Sequence, residues 1–423
     1  MRTQWPIAQL SEVCHFQNGY PFKNSDYVEE GDGAFEIFRM GNIRKGGGFN
    51  PDGKKALVAA EQAATLRRFL LNKGDILMCM TDMKANVALL GHTARMPVSG
   101  RYLVNQRVGR ITVRKPEALD QHFLYYYSNS PAYIGWLRSH ANSGVQVNLS
   151  TEAILNSPIA CPPLPIQRRI ASILSAYDDL IENNQRRIKI LEMMARALYR
   201  EWFVHFRFPG HENHPRVASP LGEIPEGWEV RPFAALATYV NGYPFKPAQL
   251  GADGIPVIKI KELKGGIVAD TPRNSGQDIP EKYHIRDGDV LFSWSADLNV
   301  YLWAGGAGLL NQHLFTVMPA NNISLVFCFH SLKEAMPRFR SLSLGATMHH
   351  IKRSALDQVS TVVAPALIRQ QFDALAEPMH SKVLTLTRHV ANLHRTRDLL
   401  LPRLLSGQID VEQLQEPALQ EVS

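Results

Sequence analysis

The chain is a duplicate of itself, and no other feature narrows its fold as far. Asn18-Gly-Tyr-Pro-Phe-Lys23 recurs letter for letter as Asn241-Gly-Tyr-Pro-Phe-Lys246, an offset of 223. Trp5 and Trp228 share that offset. Lys73-Gly-Asp-Ile-Leu77 matches Asp287-Gly-Asp-Val-Leu291 at 214, and Leu103-Val-Asn-Gln106 matches Leu309-Leu-Asn-Gln312 at 206. Gly144 answers Gly345, and two long helical tracts align at 202. The order is kept while the offset falls, as in a tandem duplication whose second copy has lost residues in steps.

Each copy opens with short apolar runs between Gly, Pro and Asn. Phe35–Phe38, Asp75–Met78, Arg110–Arg114, Pro256–Ile260 and Asp289–Phe292 read as strands. His122–Tyr127 reads as a short helix. The expectation is an α+β fold: a tandem duplication of a mixed α/β domain followed by a long helix.

The first long helix is expected from near Pro165 to before Pro209-Gly210. Its heptad seam is Leu174, Tyr177, Ile181, Asn184, Ile188, Leu191, Ala195, Leu198 and Trp202. The second copy repeats it as Ala376, Met379, Val383, Leu386, Val390, Leu393, Arg397, Leu400 and Leu404. Four heptads predict a coiled coil, with the two helices packed antiparallel on each other. Pro378 is expected to kink or delay the second helix, and Gly407 to stop it. Such a rod would be about 42 Å long at 1.5 Å per residue, against about 34 Å for a DNA turn.

Six segments follow: a first domain at 1–158, a helix at 159–208, a linker at 209–226, a second domain at 227–360, a helix at 361–408 and a tail at 409–423.

Lys and Arg exceed Asp and Glu by 7, and the pI is about 9.2. This permits a nucleic acid partner without demanding one. The opening shows no apolar signal core, and no run approaches the length of a membrane span. Cys14, Cys79, Cys161 and Cys328 lie far apart with no CxxC, so a cytoplasmic protein with free thiols is expected.

Four further motifs carry a resemblance. They are Pro162-Pro-Leu-Pro-Ile-Gln-Arg-Arg-Ile170, Arg200-Glu-Trp-Phe-Val-His-Phe-Arg-Phe-Pro-Gly210, Gly222-Glu-Ile-Pro-Glu-Gly-Trp-Glu-Val230 and Leu401-Pro-Arg-Leu-Leu-Ser-Gly-Gln-Ile-Asp410. In this order the chain resembles the specificity (S) subunit of a type I restriction–modification system. One departure is Ala364-Pro-Ala-Leu-Ile-Arg-Gln-Gln371, a degraded second copy of the first motif. The resemblance implies two target-recognition domains, each reading one half of a split double-stranded DNA sequence, with the helices as spacer. It implies two methyltransferase (M) subunits and restriction/translocase (R) subunits as partners. Those partners would use S-adenosylmethionine, ATP and magnesium (Mg), and this chain none.

Catalysis in the chain itself finds little support. No Asn/Asp-Pro-Pro-aromatic loop and no GxxxxGK[ST] is present, and Gly46–Gly48 and Gly305-Gly306 read as turns. Asp253…Glu262-Leu-Lys264 and Asp75…Asp82-Met-Lys84 fit a metal nuclease only loosely. Asp75 and Asp289 agree between copies but occupy turns. His205, His211, His214 and His349-His350 lack ligand spacing and read as solvated or DNA-facing, with no metal.

A DNA reader needs cations for phosphates and amides or cations for base edges. Candidates in copy one are Lys23, Arg39, Asn42, Arg44, Lys45, Asn105, Gln106, Gln146 and Asn148. Those in copy two are Lys246, Lys259, Lys261, Lys264, Asn311, Gln312, His313, His349, His350 and Lys352. Residues shared by the copies cannot give two readings, so base contacts are sought where they differ, as at Arg44 against Lys264 or Gln146 against Thr347. Arg168, Arg169, Arg186, Arg187, Lys189, Arg196 and Arg200 on the first helix suit either solvent or an acidic partner helix. The competing reading is a non-catalytic scaffold whose coiled coil spaces two protein-binding modules.

Overall fold

The computed structural model describes residues 5–29, 34–83, 87–143, 146–343 and 350–411. Lys84, Gly144, Gly345, Thr347, His349 and most of the expected tail lie outside the described residues. The chain divides into two compact units, Met1–Asp179 with His394–Ser423, and Leu180–Leu393. Each unit therefore takes its helical part from both long helices.

The first unit is built on an antiparallel sheet ordered Cys14–Asn18, Val108–Val113, Ile76–Cys79, Thr93–Arg95. A smaller sheet pairs Phe35–Phe38 in parallel with Tyr102–Val104 and antiparallel with Leu57–Val58. The second unit repeats both. Ala237–Asn241, Leu314–Pro319, Val290–Ser293 and Asn299–Leu302 form its antiparallel sheet. Ile255–Ile258 runs parallel to Gly308–Leu310 in the other. The expected strands thus form, shifted by a residue or two at their ends.

Turn chemistry is repeated with them. Asp75 accepts the Asn72 backbone N–H at 2.9 Å, and Asp289 that of Arg286 at 2.8 Å. These carboxylates close the turn before a core strand, the structural role expected of them.

Both long helices contain 40 residues, Leu164–Phe203 and Ala366–Leu405. Their ends differ by the same 202 residues as their seams. Every seam position of both helices is buried or half-buried, whereas Met193, Met194, Leu367 and Leu399 off the seam are exposed. In the first unit, Ile170, Ala171 and Leu174 share a core with Leu404 and Leu405. In the second, Tyr199, Trp202 and Phe203 share one with Phe372 and Ala376. The start of one helix meets the end of the other in each unit, so the pair is an antiparallel coiled coil. Fully burying a Leu or Phe contributes about 1.5–3 kcal/mol, so these knobs carry much of the helices' stability.

The first helix is anchored by Gln167, which has no exposed surface. Its Oε1 accepts the Asp120 N–H at 2.8 Å, and its Nε2 donates to the Ala118 and Pro162 carbonyls at 2.8 and 2.7 Å. Arg369 stands 202 residues later. Its Nε donates to the Ala364 carbonyl at 2.9 Å and its guanidinium reaches the Asn322 carbonyl. The degraded motif keeps its function because a guanidinium supplies the donors that the amide supplied.

One expectation is corrected. Pro378 neither delays nor breaks the second helix, which is continuous from Ala366. Arg369, Phe372 and Ala376 fix the helix before Pro378, which costs it one backbone bond on an exposed face. The first helix ends at Phe203, before Pro209 as expected, where Phe206 turns to φ 58° and packs edge-on to Trp228 at 5.6 Å. Within the linker, Arg216–Ser219 and Gly222–Pro225 form a hairpin. Gly407 has φ 67° just beyond Leu405, the left-handed stop its position predicts.

Candidate nucleic-acid interface

In the first unit, Phe35–Phe38 and Tyr102–Val104 run parallel, with Phe38 beside Val104. Tyr20 extends this arrangement through a parallel bridge to Asn105. Its N–H donates to Val104 at 2.8 Å, the Asn105 N–H to Phe38 at 3.0 Å, and the Gln106 N–H to Tyr20 at 2.9 Å. Three segments therefore leave the same edge, at the carboxyl ends of parallel strands. They carry Lys23, Arg39 and Gln106.

The second unit repeats the edge bond for bond. Tyr243 N–H donates to Leu310 at 2.8 Å, Asn311 to Ile258 at 3.1 Å and Gln312 to Tyr243 at 3.1 Å. Lys246, Lys259 and Gln312 leave there. The invariant Gly has a steric cause: a Cβ at Gly19 would lie 2.1 Å from the Asn105 carbonyl oxygen, and one at Gly242 2.1 Å from that of Asn311. Only glycine lets these backbones meet.

Side chains three residues on fix the start of each loop. Asp26 accepts the Lys23 N–H at 2.7 Å and Gln249 that of Lys246 at 2.9 Å. Asn42 accepts the Arg39 N–H at 2.8 Å and Glu262 that of Lys259 at 3.1 Å. Asn42 is 5% exposed and its amide donates to the Asn50 carbonyl at 3.2 Å. Asn105 and Asn311 are buried too, and Asn105 Oδ1 accepts the Arg107 N–H at 3.2 Å. These three asparagines are buried in the frame, whereas the sequence offers them as base-edge candidates. Glu262 is likewise used up, accepting from Thr271 at 3.3 Å. Asp82 accepts the N–H groups of Met83, Leu89 and Leu90. Both carboxylates are engaged in hydrogen bonds within their own domains.

A second group of candidates lies on a separate three-stranded sheet, ordered Asn142–Ser143, Gln146–Asn148, Thr81–Met83, and at its counterpart in the second unit. Asn148 pairs in register with Thr81 and accepts its hydroxyl at 2.8 Å, with Gln146 two residues earlier on the strand. His350 bridges Ser295, which lies at the matching place. His313 is exposed beside Trp294, with ring centroids 5.7 Å apart, and Lys352 is exposed two residues after His350 in the chain. The sequence reading overlooked Arg107. It is exposed, its carbonyl accepts the Met80 N–H, and the 206 offset sets it opposite His313.

Arg44 and Lys45 are exposed on a hairpin closed by an Ile43–Phe49 bridge and turned through Gly46–Gly48. The second unit has the helix Ile260–Gly265 instead. There Lys261 pairs with Asp270 at 2.7 Å and Lys264 with Asp297 at 3.2 Å. Burial alone would raise the Asp297 carboxyl, but bonds from Tyr301 and Lys264 hold it below the ordinary aspartate value. The copies thus differ in fold and in cation availability just beyond the shared edge. Of the histidines near the linker, His211 Nδ1 lies 2.8 Å from the Phe208 carbonyl and His214 Nε2 2.9 Å from that of Glu226.

This is a duplicated scaffold that fixes two similar edges and varies what they present. The sequence profile of the type I restriction modification DNA specificity domain matches residues 3–193. The specificity subunit of the MjaIX type I restriction enzyme of Methanocaldococcus jannaschii is 23% identical, covering 70% of this chain and 71% of that protein. That of the HindI enzyme of Haemophilus influenzae is 22% identical, over 74% and 81%. The S subunit structure from M. genitalium superposes with a TM-score of 0.57 at 14% identity, covering 95% of this chain and 96% of that one. Residues 3–193 thus match that specificity domain, and the chain is similar over most of its length to type I restriction enzyme specificity subunits. Among the described residues no helix is long and apolar enough to cross a membrane.

Proposed function

We propose that this chain binds a split, asymmetric double-stranded DNA target, each domain reading one half. It directs adenine methylation or cleavage by partner subunits, and is itself non-catalytic. One observation carries the reading: both units hold cation- and amide-bearing loops on one backbone frame, yet differ in the side chains beyond it. Identical readers on one frame would favour a palindrome; divergent readers favour two unlike half-sites. Two methyltransferase subunits and the restriction/translocase subunits supply the chemistry, with S-adenosylmethionine, ATP and Mg on their side. Arg168, Arg186, Arg187 and Lys189, exposed on the first long helix, suit an acidic partner surface.

The test is a genome-wide map of methylated adenine in cells carrying the chain with its methyltransferase, against a deletion of the chain alone. A split asymmetric motif that vanishes in the deletion is expected. An unchanged map would overturn the reading and favour a scaffold.

A further inference from the structure

Packing accounts for most of the hexapeptide that the two copies share, but not for its last residue. Gly19 and Gly242 are required by the backbone approach described above. Tyr20 and Phe22 meet edge to face at 4.9 Å, as do Tyr243 and Phe245. Lys23 and Lys246, by contrast, are exposed. Their backbone N–H groups are capped, and among the described residues neither side chain makes an ion pair or a ring contact. The residues that follow have diverged, Asn24-Ser25-Asp26 in one copy and Pro247-Ala248-Gln249 in the other. A lysine retained twice among drifting neighbours, with no ion pair or ring contact among the described residues to hold it, points to something outside the protein.

Arg39 and Lys259 repeat the pattern on the adjacent segment. Both are half-buried cations with a capped N–H and no ion pair among the described residues. Lys23 and Arg39 leave the same edge as Gln106, and Lys246 and Lys259 the same edge as Gln312. Each unit therefore holds, at matching places on one frame, two cations with no ion pair among the described residues.

We infer that Lys23, Arg39, Lys246 and Lys259 are a duplicated grip on DNA phosphates, which positions each domain on the duplex and carries no sequence information. This rests on the proposed function. The two units would read different bases, so a residue common to both cannot tell those bases apart, whereas every base pair offers the same phosphates. Base reading then falls to exposed residues that differ between the units, such as Arg44 and Arg107 in the first and His313 in the second.

The test uses the chain assembled with its methyltransferase subunits. Duplex binding is titrated against salt for wild type, K23Q/K246Q, R39Q/K259Q and the control K23R/K246R, and each variant's methylation motif is mapped. Each double glutamine variant should weaken binding to cognate and non-cognate duplexes by the same factor. The slope of log affinity against log salt should flatten by about 1.8, two contacts at about 0.9 each. The motif should not change, and K23R/K246R should keep the wild-type slope. A relaxed or altered motif would make these residues base readers and overturn the inference. An unchanged slope and affinity would remove them from the DNA and overturn it too. If the wild-type complex itself does not discriminate between duplexes, the proposed function fails, while the slope on any duplex still decides the grip.

Discussion

Where the recognition domain meets the long helix, the two units solve the same problem with opposite chemistry. In the first, the Tyr126 hydroxyl donates to Asp178 at 2.7 Å, and Arg397 closes on the same carboxylate at 2.6 Å. Burial and the Asp178 charge drive the Tyr126 hydroxyl far above its ordinary value, so it stays a donor. In the second, His330 and His380 lie with their Nε2 atoms 2.8 Å apart. Tyr126 and His330 each stand six residues after their helix N-cap, Asp120 and Ser324, and Asp178 and His380 differ by the helix offset. Burial, His380, Lys333 and Arg196 depress His330 to about 3, and burial depresses His380 to about 4. A hydrogen bond between two neutral imidazoles needs one Nε2 to donate and the other to accept. An ionic clamp and a neutral pair thus occupy one place in a repeated frame. The frame conserves the fact of a polar link, and leaves its charge and pH response free to drift.

The comparison breaks first if the frame itself is not shared. Gly19→Ala and Gly242→Ala should each destabilise their unit by about 3 kcal/mol or more, since a backbone carbonyl and not a movable side chain blocks the methyl group. Chemical denaturation reads this, and tolerance at only one site would mean that the two edges are not equivalent.

Acid should separate the units. The folded pKa values of His330 and His380 lie below the unfolded value of 6.5. The unfolded chain then binds more protons, so their contribution is complete above about pH 6.5 and is lost as pH falls towards 3. Between pH 7 and pH 5 the second unit should lose on the order of 3 kcal/mol. Its four tryptophans, Trp202, Trp228, Trp294 and Trp303, report its melting. A His380→Gln variant should flatten the pH dependence, and an unchanged slope would remove the histidine pair from the account.

Smaller effects sharpen the picture. Gln167→Ala should cost about 2–3 kcal/mol by leaving buried backbone groups unpaired, and Arg369→Ala a similar amount. A marked inequality in thermal melts would show that amide and guanidinium are not interchangeable anchors. Asp178→Asn should cost about 1 kcal/mol, because the pair with Arg397 is only partly screened by solvent. Lys264→Gln should shift stability by less than about 0.5 kcal/mol, its pair with Asp297 being largely exposed. A larger loss would make that pair part of the second unit's frame.

The seam was legible in the sequence because a heptad is a geometric rule, and Asn184 and Arg397 fall on it despite their polarity. Pro378 was misread because the rule for proline is local, whereas Arg369 and Phe372 hold the helix from outside it. The likeness of Gln167 and Arg369 could not be read, since they share donor positions and not a residue class. Asn42 and Asn105 looked like base readers because sequence does not say whether a turn amide faces solvent or its own backbone. Arg107 could have been found by applying the 206 offset to His313 in reverse.

The two forty-residue helices have one further consequence. Begun and ended at a constant offset, they fix a phase as well as a length. One inserted residue would rotate everything beyond it by about 100° and carry the apolar stripe away from its partner. Insertions of four, seven or eleven residues would return the stripe to within about 40°. The pair can therefore lengthen or shorten only in near-whole turns, a few ångströms at a time and never continuously.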